Sequence, residues 1–252
     1  MRLLPLLTDG FTDLVLGSAC VGCRRPGRPL CTGCRAALPE AAATAWPTPT
    51  PPGLVPPYVT GAYDGLLRAM VLAHKERQVL ALTRPLGDLL AHSVGAALQT
   101  AAGPDHPVIL VPVPSRAAAV RRRGHDPTAA MTRAAARVLH RQGREARVAR
   151  LLRLRPGVVD QAGLDASRRA ANLAGSMAAP SAVVRRLGRR VPHAHVVVCD
   201  DVLTTGATLR EAQRALEAAG LTVVAAATVA ATRRRRAPPG SPPALSWTPG
   251  TD

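Results

Sequence analysis

The chain has 252 residues, enough for one sizeable domain and a small module. Apolar residues make up 47 % and aromatics 2 %, so the core must be built from Ala, Val and Leu, and no stretch approaches the ~18 uninterrupted apolar residues of a membrane span. The formal net charge is +17, nearly all of it arginine because Lys75 is the one lysine; the excess implies anionic partners such as nucleic acid, phosphate esters or acidic lipid surfaces, without choosing among them.

The opening "MRLLPLLTDGFTDLVLGSAC" is interrupted by Asp9 and Asp13. This argues against an export signal and for a short amphipathic helix that packs Leu3, Leu6, Leu7, Leu14 and Leu16 elsewhere. The expectation is a cytoplasmic protein. This first unit, residues 1–38, carries Cys20-x2-Cys23-x7-Cys31-x2-Cys34. Two CxxC knuckles in one short segment point to tetrahedral zinc, each pair giving two thiolates to one ion, and with every position filled by sulfur the site would be structural. Gly22 and Gly33 lie inside the knuckles, where a tight turn brings amides toward sulfur. The seven-residue spacer is shorter than in most zinc ribbons. Disulfides are the structural alternative, disfavoured in a reducing compartment; a redox CxxC is a third, weakened by the second pair.

Residues 39–57 are rich in Pro and Ala, which forbids a regular helix and predicts a linker or an extended wrap over the surface. Residues 58–232 alternate helix and strand signals. "YDGLLRAMVLAHKE" and "LTRPLGDLLAHSVGAALQTA" have helical apolar spacing, and "PVILVPVP" is a short apolar run typical of a buried strand. In "GHDPTAAMTRAAARVLHRQG", Asp126 is an N-cap, Pro127 suits the first helical position and Gly143 stops the helix. "AHVVVC" is a second buried strand, ending at Cys199, itself a buried packing residue. "ATLREAQRALEAAG" is a helix with Leu209, Ala212 and Leu216 on one face, and "LTVVAAATVA" is a third strand. The alternation predicts an α/β fold, a parallel sheet flanked by helices. Residues 233–252, four arginines followed by Pro, Gly and Ser, predict a disordered basic tail.

The chemistry concentrates in "VVVCDDVLTTGATL". Ligands of open parallel sheets sit at the carboxyl ends of strands, so Asp200 and Asp201 are placed in a cleft. The small-residue loop Thr204, Thr205, Gly206, Ala207, Thr208 then runs straight into a helix N-terminus. Free amides, the helix dipole and three hydroxyls favour a phosphate there. Carboxylates repel phosphate but accept hydrogen bonds from hydroxyls, so a sugar phosphate satisfies both features. The loop has neither the spacing nor the lysine of a Walker A loop, which excludes that class of ATPase. The plain alternative is an ordinary strand–turn–helix with two solvated acids.

"VVVCDDVLTTGAT" resembles the signature of type I phosphoribosyltransferases. "LVPVPSRAAAVRRRGHDPTAAM", "DQAGLDASRRAANLAGSM" and the N-terminal cysteine module are similar to the ComF family within that group, a likeness that runs from Cys20 to Thr232 outside the linker. His125, Asp126 and Pro127 depart from that family's pattern, which has an aromatic, Asn and Gln after the Arg-Gly pair. The resemblance implies that Asp200 and Asp201 hold the ribose hydroxyls of phosphoribosyl pyrophosphate (PRPP) and that Thr204 to Thr208 hold its 5′-phosphate. Ser115 and Arg116 would lie on the pyrophosphate side, Mg²⁺ would bridge pyrophosphate and ribose oxygens, and Arg168 and Arg169 would close as a lid.

Two functions fit these residues. One is a Mg²⁺-dependent phosphoribosyltransferase that displaces pyrophosphate at C1 in favour of a second substrate, with positioning and charge neutralisation carrying the reaction. The alternative is a non-catalytic protein associated with single-stranded DNA and the DNA-uptake machinery of competent cells. A scaffold that binds a partner protein through its zinc module is a third option.

Overall fold

A computed structural model describes residues 19–101, 106–155 and 175–232. The expected N-terminal amphipathic helix, Arg168 and Arg169, and the basic tail fall outside the described residues. In chain order the elements are α1 (Thr32–Ala36), β1 (Ala43–Thr44), β2 (Pro57–Ala62), α2 (Gly65–Glu76), a 3₁₀ turn (Leu80–Leu82), α3 (Thr83–Thr100), β3 (Val108–Pro112), α4 (Ala117–Arg123), α5 (Pro127–Arg141), β4 (Ala146–Val148), β5 (Arg153–Leu154), β6 (Met177–Ala178), α6 (Ser181–Arg190), β7 (His195–Leu203), α7 (Ala207–Glu217) and β8 (Val223–Ala231). No helix among the described residues is long and apolar enough to cross a membrane.

The expected parallel sheet is present, with strand order β1-β2-β8-β7-β3-β4. Every pairing in it is parallel except β1 with β2. β5 and β6 form a separate antiparallel pair. Strand side chains alternate between faces, and the two cores follow that period. Val108 and Leu110 of β3 join Val197 and Cys199 of β7 beneath α2, α3 and α5, where Met70, Leu86, Leu90 and Met131 are packed. Ile109, Val111, Val196 and Val198 point the other way, onto Leu209, Ala212 and Leu216 of α7. Burial on both faces is why these strands read as unbroken apolar runs.

β7 does not end at Cys199, as the apolar pattern predicts, but continues to Leu203. Its ladder with β3 stops at Pro112↔Cys199, while its ladder with β8 goes on through Asp200↔Thr228, Val202↔Ala230 and Leu203↔Ala231. The acids are therefore strand residues on a flank that β3 has left.

The Pro-rich stretch is extended, as its composition requires. Ala43 and Thr44 pair with Val59 and Tyr58. Further on the chain lies along α7: Arg210 Nε donates to Pro52 O at 2.9 Å, Gln213 Nε2 donates to Gly53 O at 2.9 Å, and Gln213 Oε1 accepts from Val55 N at 3.0 Å.

Candidate functional site

A cleft of about 960 Å³ opens where β3 and β7 part, at the carboxyl ends of the sheet strands. Asp200, Asp201, Thr204, Thr208, Ser115 and Arg116 all line it, so residues from two distant stretches of sequence meet at one place. Thr205 is half-buried, and Gly206 and Ala207 are buried behind the lining. Of the five loop residues, Thr204 and Thr208 are the ones that line the cleft.

Gly206 caps α7 with φ 76° and, having no side chain, offers the first-turn amides no capping acceptor of its own. No acid lies in that turn; Ala207 N has only a long contact to Thr205 Oγ1 at 3.4 Å. The dipole and the donors of the helix start are available to an anion. A side chain at position 206 would meet Pro47 at 3.0 Å and Leu54 at 3.1 Å. The extended linker therefore packs the back of the loop, and glycine is required both by the backbone angle and by that contact.

The two carboxylates differ. Asp200 Oδ1 accepts from Asp201 N at 2.8 Å. Burial, followed by the neighbouring charge of Asp201, pushes the Asp200 carboxyl up to about 8. Asp201 Oδ1 accepts from Val202 N at 2.9 Å and its Oδ2 from Lys75 Nζ at 2.6 Å. Burial works against the Lys75 ammonium, but the charge and hydrogen bond of Asp201 overcome it and hold Lys75 above the ordinary lysine value.

Basic residues share the cleft with the acids. Arg122 and Arg123 of α4 and Lys75 of α2 line the cleft with Arg116. Arg123 is fixed by Glu76, donating through Nη2 to both carboxylate oxygens at 2.9 and 3.1 Å. Its Nε and His125 Nε2 are buried with no partner among the described residues. His125 Nδ1 lies 3.2 Å from Arg123 O, and its ring meets His74 edge-on with centroids 5.6 Å apart. His74 is bonded to Thr83 Oγ1 at 2.9 Å; burial, then the nearby His125, lower it to about 4, so it is neutral at physiological pH.

Asp126 is the N-cap of α5, accepting from Ala129 N at 3.2 Å, with Pro127 in the first turn. It also accepts from Ser115 Oγ at 3.0 Å and from Arg150 Nη2 at 2.9 Å.

Sequence reasoning identified the acids and the loop but assigned no role to Lys75 or Glu76, and connected Arg122 and Arg123, in the "RRRGH" stretch, with nucleic acid rather than with this cleft. The available signal was the lone lysine at the end of an amphipathic helix in a chain that otherwise uses arginine.

Comparison with known families gives a match for part of the chain. Residues 144–244 match the phosphoribosyl transferase domain. The matched span contains β4, β7, the Thr204–Thr208 loop, α7 and β8. Lys75, Ser115 and Arg116 lie before the phosphoribosyl transferase match, yet the fold brings them to the same cleft. No curated protein matches the chain.

The four cysteines form a second cluster in front of this domain. All four Sγ atoms lie within 4.8 Å of one another. The thiols are free, and Cys23 Sγ and Cys31 Sγ are 3.6 Å apart. A tetrahedral ion with Zn–S near 2.3 Å spaces sulfurs roughly 3.8 Å apart, so the donor set is of the right kind and size for zinc. Burial opposes ionisation of Cys20, but amides of Cys31, Cys23 and Gly22 outweigh it and bring the thiol down to about 6. A Cβ on Gly22 would meet Leu66 at 2.7 Å and Cys34 Sγ at 2.9 Å, so this glycine lets the knuckle close against α2. Gly33 sits inside α1 with open space around it, in the turn where Cys34 N donates to Cys31 Sγ at 3.4 Å. Cys199 is fully buried and its thiol is pushed up by that burial, as befits a packing residue.

Proposed function

We propose that the protein binds PRPP, or a closely related sugar phosphate, together with Mg²⁺, in the manner of a ComF-type phosphoribosyltransferase. The observation that carries this reading is the shared cleft, in which two carboxylates, a helix N-terminus and basic residues face one space. Asp200 and Asp201 accept the ribose hydroxyls. Thr204, Thr208 and the amides that open α7 take the 5′-phosphate. Ser115, Arg116 and the arginines of α4 face the pyrophosphate. Mg²⁺, a hard cation, supplies charge neutralisation to the pyrophosphate and ribose oxygens. Transfer consists of displacement at C1: the bond to pyrophosphate breaks, an acceptor nucleophile takes the carbon, and the basic residues stabilise the departing charge. Zn²⁺ in the cysteine cluster has a structural role, and the free thiols fit a reducing cytoplasm.

The test is calorimetric titration of the full chain with PRPP, with and without Mg²⁺, beside an Asp200→Ala/Asp201→Ala variant. Magnesium-dependent binding lost in the variant supports the proposal; no heat from wild type at millimolar PRPP refutes it.

A second reading, association with single-stranded DNA in DNA uptake, is favoured by α6. Arg185, Arg186, Arg189 and Arg190 are exposed there, and Val184 is its one buried residue. It requires binding that weakens steeply with salt and with the loss of those arginines. Binding unaffected by either change ends it.

A further inference from the structure

We propose that Lys75 is a displaceable counter-ion: its ammonium occupies, in the free protein, the Asp201 oxygen that a sugar hydroxyl needs, and a bound vicinal diol moves it across the cleft toward the phosphate groups. This rests on the sugar-phosphate reading of the cleft.

Each oxygen of Asp201 carries one bond in the free protein. Asp201 Oδ1 is committed to the amide of Val202 at 2.9 Å, whereas Oδ2 is held by Lys75 Nζ at 2.6 Å. The Asp201 side chain is 13 % exposed. A carboxylate so enclosed needs a partner while the cleft is empty, because an uncompensated buried charge is strongly destabilising. Lys75 supplies it from a helix whose preceding residue, His74, is tied to Thr83 at 2.9 Å. The Lys75 side chain is 38 % exposed and lines the cleft. Its four-carbon stem can swing while α2 stays in place.

The residue type is the second argument. The chain has 33 basic residues, and all but Lys75 are arginine. Arginine grips a carboxylate through a planar fork; an ammonium is a compact charge with three rotatable donors. In the same cleft an arginine does hold a carboxylate, Arg123 donating through Nη2 to both oxygens of Glu76 at 2.9 and 3.1 Å. A fork on Asp201 would lock the diol site. An ammonium keeps the acid paired and then yields it, while its positive charge stays beside the incoming phosphates.

A chain with one lysine gives one lysine signal, so labelling with [¹³Cε]lysine reports Lys75 alone by NMR. Asp201→Asn is expected to shift that signal in the free protein. Ribose 5-phosphate and 2-deoxyribose 5-phosphate are then titrated with Mg²⁺, with calorimetry measuring occupancy. Ribose 5-phosphate is expected to move the signal away from its paired position. The deoxy sugar, lacking one hydroxyl of the diol, is expected to leave it in place at equal occupancy. Lys75→Arg, which preserves charge and a structural ion pair, is expected to bind ribose 5-phosphate at least roughly tenfold more weakly. An unmoved signal at saturation, equal movement with both sugars, or wild-type affinity in Lys75→Arg overturns the displacement while leaving the cleft's ligand intact. Absence of calorimetric binding by ribose 5-phosphate and PRPP alike to wild type overturns the sugar-phosphate reading and this proposal with it.

Discussion

Ser115 Oγ donates to Asp126 Oδ1 at 3.0 Å, and through that bond the helix cap of α5 holds the loop that follows β3. Asp126 is one of the positions that depart from the ComF pattern, and its carboxylate joins three neighbours: Ser115, Ala129 and Arg150. The Arg150 arm is 63 % exposed and contributes little in water. Asp126→Ala is therefore expected to lower stability by about 1–2 kcal/mol through the lost cap. It is also expected to weaken pyrophosphate binding by freeing Ser115. Asp126→Asn keeps an acceptor for both and restores most of each effect. Urea unfolding and pyrophosphate titration of the two variants check this.

Asp200 gives the protein a pH dependence of definite sign. Its carboxyl stands at about 8 when folded, against 3.8 as the ordinary value. Between those values the folded state binds more protons than the unfolded chain, so stability falls as pH rises. His74 acts oppositely, since its folded value of about 4 lies below the ordinary 6.5 and its contribution is lost as pH falls through that window. The two slopes offset each other between 4 and 6.5; from 6.5 to 8 the Asp200 contribution goes on falling, against an opposite slope from Cys20, whose folded value of about 6 lies below the ordinary 9.0. Asp200→Asn is expected to remove that decline. Melting temperatures of both proteins across this range are the check; parallel curves would count against it.

What was legible in the sequence follows from burial. β3, β7 and β8 are buried on both faces and announced themselves as apolar runs. β2 escaped notice because Pro57 and Gly61 disguise it, although five of its residues pair with β8. α6 was missed because arginines fill the solvent face of a helix that buries only Val184. The acids and the glycine loop form a contiguous motif and could be read directly. The Lys75–Asp201 bond joins residues 126 apart; only the fold of α2 over the end of β7 brings them together, so no local pattern encodes it. The same holds for β7 itself, whose apolar run stops at Cys199 because β3 leaves there, while the ladder with β8 carries on.

Gly206 is expected to tolerate no side chain. Alanine there must adopt φ near 76° and set a methyl 3.0 Å from Pro47. Gly206→Ala should cost about 1–3 kcal/mol of stability and weaken sugar-phosphate binding beyond what that loss explains, because the amides that open α7 shift with it. Chemical denaturation and calorimetry on one preparation separate the two effects.

The cysteine cluster is expected to bind about one zinc ion per chain. Val21, Leu30, Cys34 and Leu38 pack against the core beside α2 and α3, so loss of the metal should loosen that side of the domain. Cys31→Ser, or chelation, is expected to release zinc and lower the melting temperature. Metal analysis after purification under reducing conditions tests it, and a metal-free chain of unchanged stability would contradict it.

A crystal structure of the full chain with PRPP and Mg²⁺ tests the central claim most directly. The account predicts the ribose hydroxyls on Asp200 and Asp201, the 5′-phosphate at the start of α7 beside Thr204 and Thr208, and the pyrophosphate facing Ser115 and Arg116. PRPP bound elsewhere, or with its 5′-phosphate away from residues 204–209, would contradict it.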